Sequence, residues 1–477
     1  MLSTIPLVRF GSAVGPAILV ISSLLSWSHV TAAETDGAAA PEQRSSAWDI
    51  PRGNPRDFGK SPPVARGDLS PELEAAVETA FGDLGNTGWG QPQTEALASI
   101  VAAGDVRITW LISDLTRIVS DPGLSVHLAQ AASMLLRTEI DAGDHWRSMT
   151  DHLIAWDIPA PPGYLELKRG IYTLILPGVE RLFAPGDIDW RHVSWGGVPI
   201  DDRPYDQTDQ PCNCIPAADN PRSEKAKDAA WPEDHEIVFG IGINGEYRAY
   251  PRRIMEVREM VNDTLGGRDL GIPYCTLCGS AQAYLTDEVP GDIERPVLRT
   301  SGLLIRSNKV MYDVNSYSVF DTFTGAAVTG PLADRGITLN QVGVVTTSWG
   351  EWKAAHPDTT VLVEALALGR NFDFRNNRDA QGPIFPIGDV DPRLPVQEDV
   401  LGVVTASGVP VAFHVASARV ALNAGDEVGF ENVRIVLDGG GIRAVGADDR
   451  DLGGHQAFWF AWSQFYPGTR LWPDDSE

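Results

Sequence analysis

Cys275 and Cys278 are separated by two residues in GIPYCTLCGSAQAY, residues 271 to 284, and Gly279 follows at once. A C-x-x-C turn points both sulfurs to one side, and a glycine after the second can take a positive φ that lets backbone N–H groups bond to thiolates. The pattern suits a metal knuckle. It equally suits a redox dithiol in which one thiolate is stabilised and the other resolves. A thioredoxin-like dithiol would need a helix opening at the second cysteine, whereas SAQAYL alternates like a strand. A metal needs further ligands. Cys212 and Cys214 of QPCNCIP would complete a closed four-thiolate zinc site, while His356 of EWKAAHP would leave a position open for chemistry. Soft ligands of this kind point to copper, zinc or iron without deciding among them. The alternative is a pair of disulfides, with Cys275 closing on Cys278 or each joining Cys212 or Cys214.

An internal repeat bears on that choice. Aligning TSWGEWKAAHPDTTVL (347 to 362) with AFWFAWSQFYPGTRLW (457 to 472) matches Trp349 with Trp459, Trp352 with Trp462, Pro357 with Pro467 and Thr359 with Thr469. Upstream, IVFGIGINGEYRAYP resembles DVLGVVTASGVPVAF, with Gly240 against Gly402. Residues 236 to 365 and 396 to 473 therefore read as two copies of one unit, joined by a linker over 366 to 395. The second copy is shortened, and it lacks both the C-x-x-C segment and SGLLIRSNKVMYDVNSYSVFDTFTGAAVTG. At the position of His356 it has Tyr466, so cysteines and histidine are lost together. That joint loss argues for one site made of Cys275, Cys278 and His356.

The elements that must position these residues read as α+β: an N-terminal helical unit followed by a largely β domain. Residues 1 to 33 carry Arg9, an apolar run and small residues at Thr31, Ala32 and Ala33, the layout of a signal peptide. Residues 34 to 67 read as a flexible linker rich in Pro, Gly and Ala. A helical unit follows over 68 to 140, with Ser70 as a cap before Pro71 and Ile108, Leu111, Ile112, Leu115, Ile118 and Val119 at helical spacing. His127 within it reads as a surface or packing residue. Residues 141 to 235 form a Trp- and Pro-rich connection in which Trp146, Trp156, Trp190 and Trp195 read as anchors of a long loop. Beyond Glu236 strands begin, around an Asn244-Gly245 hairpin turn.

Within 236 to 362 the motifs PYCTLCGS, TSGLLIRSNKVMYD and SWGEWKAAHPDT occur in that order. Together they resemble an exported bacterial and archaeal family catalogued as a domain of unknown function. The hallmark of that family is T-Y-C-P-L-C-G-S, followed by G-x-S-G-L-L-x-N-S-x-x-V-M-Y-D and S-W-x-E-W-x-x-x-H-P-x-T. WGGV and FWFAW extend the likeness. This chain departs at Pro273 and Thr276, and at Phe320 where the pattern leads one to expect Trp. Cys212 and Cys214 lie outside the hallmark, which favours a local addition. The resemblance implies a site but no reaction.

The net charge of −26 disfavours nucleic acid and anionic lipid as partners. The expected protein is extracytoplasmic, with no stable membrane anchor once its leader is cleaved. It binds metal through Cys275, Cys278 and His356, with Ser301, Asn308, Tyr312 and Asp313 lining the site, and this reading extends to a metalloenzyme. A thiol-disulfide redox protein and a secreted scaffold with structural disulfides are the alternatives.

Overall fold

The structure, a computed structural model, describes residues 50–208, 212–364 and 382–474. It is α+β, with most helices in the N-terminal part and a C-terminal region of small sheets in a propeller-like arrangement. Among the described residues no helix is long and apolar enough to cross a membrane.

Ser70 caps the first helix, Pro71–Val77, by accepting the Leu73 amide at 3.3 Å. Asp121 does the same for Pro122–Leu136, accepting Leu124 N–H at 2.6 Å with proline at the start of the helix. The helix Thr109–Ile118 buries Trp110, Leu111, Ile112 and Leu115 and is packed by Pro122–Leu136, His145–Ala155 and Tyr164–Thr173. Burial on more than one face brings Asp114 inside as well. Its carboxylate is answered by Lys168 Nζ at 2.7 Å and Tyr164 Oη at 2.8 Å. A buried charge needs this kind of partnering.

Two expected linkers turn out to be docked where they are described. From Ile50 to Ser70 the chain has no regular secondary structure, yet Ile50 is buried, Gly53 N–H reaches Pro392 O at 3.1 Å and Arg56 pairs with Asp151 at 2.8 Å. Likewise Ile387, Val390 and Leu394 are buried, and Trp459 Nε1 donates to Asp391 O at 2.8 Å. Composition signals the lack of periodic structure, but apolar residues spaced along extended chain still find a core. The remainder of both expected linkers, 34–49 and 366–381, lies outside the described residues, as does the expected leader.

In the β region, the hairpin Ile237–Ile243/Glu246–Pro251 turns at Asn244 (φ 52°) and Gly245 (φ 83°). Its outer neighbours are Val345–Ser348, antiparallel, and Thr360–Leu362, parallel. A second hairpin, Asp399–Val404/Pro410–His414, is flanked by His455–Phe458, antiparallel, and Arg470–Trp472, parallel. The two blocks also share their helix-to-strand corner. Trp352 Nε1 donates to Thr359 Oγ1 at 3.0 Å and Trp462 Nε1 to Thr469 Oγ1 at 2.9 Å. Trp349 N–H meets Glu236 O and Trp459 N–H meets Glu398 O, each at 2.8 Å. Gly240 and Gly402 face the two rings: a Cβ would stand 2.4 Å from Trp352 and 2.1 Å from Trp462.

Candidate functional site

Strand Arg268–Cys275 delivers Cys275 at its end, and residues 276 to 279 reverse the chain so that Ser280 pairs opposite it. Cys278 N–H closes the turn on Cys275 O at 3.3 Å. Gly279 has φ 60°, and a side chain there would meet the Phe458 ring at 3.1 Å. The Cys278 carbonyl accepts Phe458 N–H at 2.8 Å, pinning the turn to the second block. Both cysteines are free thiols, 2% and 0% exposed.

Across from the turn stands the hairpin Leu298–Ile305/Asn308–Asp313. Its two-residue loop has Arg306 at φ 46° and Ser307 at φ 70°, positive values that a type I′ hairpin requires and that glycine or asparagine adopts with less strain. This loop faces Cys275 with backbone groups of both kinds. Lys309 N–H donates to Cys275 Sγ at 3.4 Å, and the thiol itself donates to Ser307 O at 3.6 Å. Three buried side-chain atoms in these segments have no hydrogen-bond partner among the described residues: Ser280 Oγ, Ser307 Oγ and Asn308 Oδ1. Buried polar atoms are ordinarily satisfied, so these three, on residues beside or opposite the backbone groups that meet Cys275, are exceptions that call for an explanation.

The two thiols are driven apart in proton affinity. Burial is the largest influence on Cys275 and pushes it up, and the Glu259 charge adds to that; the hydrogen bond from Cys278 together with the Lys309 ammonium and amide outweighs them, and the thiol is held below its usual value. Cys278 is pushed well above the usual thiol range by burial, by its bond to Cys275 and by the charge on Cys275. The buried Lys309 ammonium is held in turn by Glu259, at 2.7 Å to Oε2 and 2.7 Å to its backbone oxygen. Lys309 and Glu259 carried no signal in the sequence, since neither belongs to a spaced ligand set.

His356 does not join the cysteines. Its Nε2 pairs with Asp438 Oδ1 at 2.7 Å and its ring stacks on Tyr247 with centroids 3.9 Å apart. Among the described residues, Asp201, Cys212 and Cys214 are the one group of at least three His, Cys, Asp or Glu whose ligand atoms all lie within 4.8 Å of one another. Cys212 and Cys214, however, form a disulfide with each other. The Asp201 carboxylate is also committed, to Arg203 Nε at 2.7 Å and to Ala217 N–H at 2.9 Å. The four-thiolate arrangement is thereby overturned, because two of the four sulfurs are already bonded. The C-x-x-C turn packs with Phe323, Phe458 and Trp462, in the core of the block that was expected to have lost the site.

Of the expected lining residues, Ser301 bonds Val310 O, Tyr312 bonds Asp201 O at 2.6 Å, and Asp313 accepts Val297 N–H at 2.8 Å. All three hold backbone in place. Asn308 alone stands between residues that touch Cys275, with its oxygen unpartnered.

Near the same core, His455 has Gln341 Nε2 at 2.8 Å from Nδ1 and Gln282 Nε2 at 3.3 Å from Nε2. Burial lowers its pKa from 6.5 to about 3. The unfolded chain therefore takes up a proton below pH 6.5 that the folded chain refuses, so this residue's contribution to stability falls as pH falls from 6.5 toward 3. The loss is about 1.4 kcal/mol per pH unit. Urea unfolding at pH 7.5 and 5.5 should show a smaller acid-side loss in His455→Gln than in the wild type. Equal losses would contradict this account.

A family model described as Protein of unknown function (DUF3179) matches residues 212–456. No curated protein and no solved structure matches the chain.

Proposed function

The chain belongs to the DUF3179 family of proteins of unknown function, and from that premise we propose that it carries out reversible thiol–disulfide chemistry at Cys275 and Cys278. The observation that carries this reading is the split pair. Two adjacent free sulfurs have opposite proton affinities, and Cys275 receives a backbone N–H as a nucleophilic thiolate would. In the cycle, the Cys275 thiolate attacks one sulfur of an external disulfide and expels a thiolate. Cys278 then gives up its proton and attacks Cys275, expelling the second thiolate. The external disulfide is reduced to two thiols and the Cys275/Cys278 dithiol is oxidised. Because both sulfurs are buried, the turn must part from Phe458 for the reagent to enter.

The rival reading is a soft-metal site of copper, zinc or iron on Cys275, Cys278 and His356. It would require His356 to exchange Asp438 for the metal. Metal analysis and thiol titration on one native sample separate the two. The redox reading expects no stoichiometric metal and two thiols that oxidise and re-reduce. Stoichiometric metal, lost in Cys275→Ser and reduced in His356→Ala, would replace it with the metal reading.

We further propose that the two blocks are diverged copies of one unit, over 236–365 and 396–473. The matched strand order and the matched Trp-to-Thr bonds support this. Export is our reading of the N-terminal pattern, and the Cys212–Cys214 disulfide supports it, since such bonds persist in oxidising compartments.

A further inference from the structure

The helical region contains a cleft of about 410 Å³ with no part in the dithiol chemistry. Its floor is Arg117, at the end of the central helix, and its walls include Trp146, Phe385, His145, Ser125 and Asp144. The Arg117 guanidinium lies 4.4 Å from the Trp146 ring centroid, 5.3 Å from Phe385 and 5.5 Å from Trp195. Its Nε donates to Trp195 O at 2.7 Å. Among the described residues its two terminal nitrogens have no hydrogen bond and no carboxylate pairs with them at contact distance, the Asp144 charge acting only from further off. Three arginines drawn deeper into this fold are matched by carboxylates, Arg107 by Asp105, Arg203 by Asp201 and Arg299 by Asp219, whereas Arg306 meets His192.

A guanidinium drawn partly out of water among three aromatic rings, with only the Asp144 charge in the cleft to offset it, is costly unless something else supplies negative charge. The fork of two free nitrogens fits a carboxylate in bidentate fashion. His145, tied through Nδ1 to Ser125 Oγ at 3.0 Å, lies on the same wall, and among the described residues its Nε2 has no hydrogen bond. Asp144 shares the lining, so a ligand of higher negative charge is disfavoured against a monoanion. The volume falls within the range of small-molecule pockets, and the Trp146 and Phe385 edges offer apolar surface to a ligand body.

We propose that this cleft binds a small organic monocarboxylate, with its carboxylate on the Arg117 fork and its apolar body against Trp146 and Phe385. The proposal is independent of the cysteines and of the reaction assigned to them. It accounts for a feature of the Trp-rich connection that anchoring alone leaves unexplained. Trp190 is buried and stacked on Phe183, as an anchor should be, whereas Trp146 and Trp195 are spent on holding an unpaired cation at a cleft.

The test is isothermal titration of the full chain with benzoate and, separately, with inorganic phosphate. Benzoate should bind once per chain and more tightly than phosphate. Arg117→Met should weaken benzoate at least about tenfold. Arg117→Lys keeps the charge against the rings but loses the fork, and should also weaken it, which keeps the test open if the Met variant fails to fold. Absence of benzoate binding, unchanged affinity in Arg117→Lys, or tighter binding of phosphate would each overturn the assignment.

Discussion

Trp462→Ala should lower the free energy of unfolding by about 3–5 kcal/mol, and Trp352→Ala by a similar amount. Each ring is about 1% exposed and fills space left by a glycine that has no Cβ, Gly402 in one block and Gly240 in the other. Truncation removes the packing of a large aromatic and leaves a buried threonine hydroxyl without its donor, Thr469 or Thr359. The reverse intrusion is equally informative. In Gly402→Ala the added Cβ would sit 2.1 Å from the Trp462 ring, against strand backbone that has little freedom to retreat. We expect a loss of about 3 kcal/mol, at the upper end of overpacking costs. Urea midpoints of the four variants, including Gly240→Ala, provide the measurement. A neutral Gly402→Ala would refute the packing argument, and a large effect in one block with none in the other would refute the equivalence of the two corners.

The same corners show what sequence can and cannot convey. The bond from Trp352 to Thr359 and that from Trp462 to Thr469 each join residues within one short stretch of chain, so the matching corners could be aligned in the sequence. Helices such as Thr109–Ile118 were legible from apolar spacing, although spacing alone could not show that a helix surrounded by three others would bury Asp114 too. The proximity of Cys275 and Cys278 was legible from their spacing, but their surroundings were not. The partner of His356 is Asp438, 82 residues further along the chain, a pairing that spacing around the histidine could not signal. The groups that do touch Cys275 are a backbone amide and a carbonyl from a hairpin loop, which leave no residue-type signature. Whether Cys212 would pair with Cys214 or with the distant cysteines was equally beyond spacing, since all those pairings are chemically open until the chain is folded.

In the reduced protein, Cys275→Ser should slow the reaction with a small disulfide at neutral pH by about 10–100-fold, whereas Cys278→Ser should leave a reactive thiol trapped as a mixed disulfide. The asymmetry follows from the direction of each shift. Cys275 is held below its usual value of 9.0 and so carries thiolate at a pH where Cys278, pushed well above 9.0, carries almost none. Cys278→Ser also replaces the thiol that donates to Cys275 with a shorter hydroxyl, so the midpoint of the rate against pH should move upward. Lys309→Met should move it upward as well, because it removes the nearby ammonium and leaves the Glu259 carboxylate to oppose ionisation. That variant should also be less stable by about 3–5 kcal/mol, since it abandons a buried carboxylate without its partner. The pH profile distinguishes the two consequences: loss of fold changes the unfolding midpoint, while loss of the charge changes the pH at which Cys275 reacts. Equal reactivity of the two thiols, or first reaction at Cys278, would remove the basis for a nucleophile and a resolving partner.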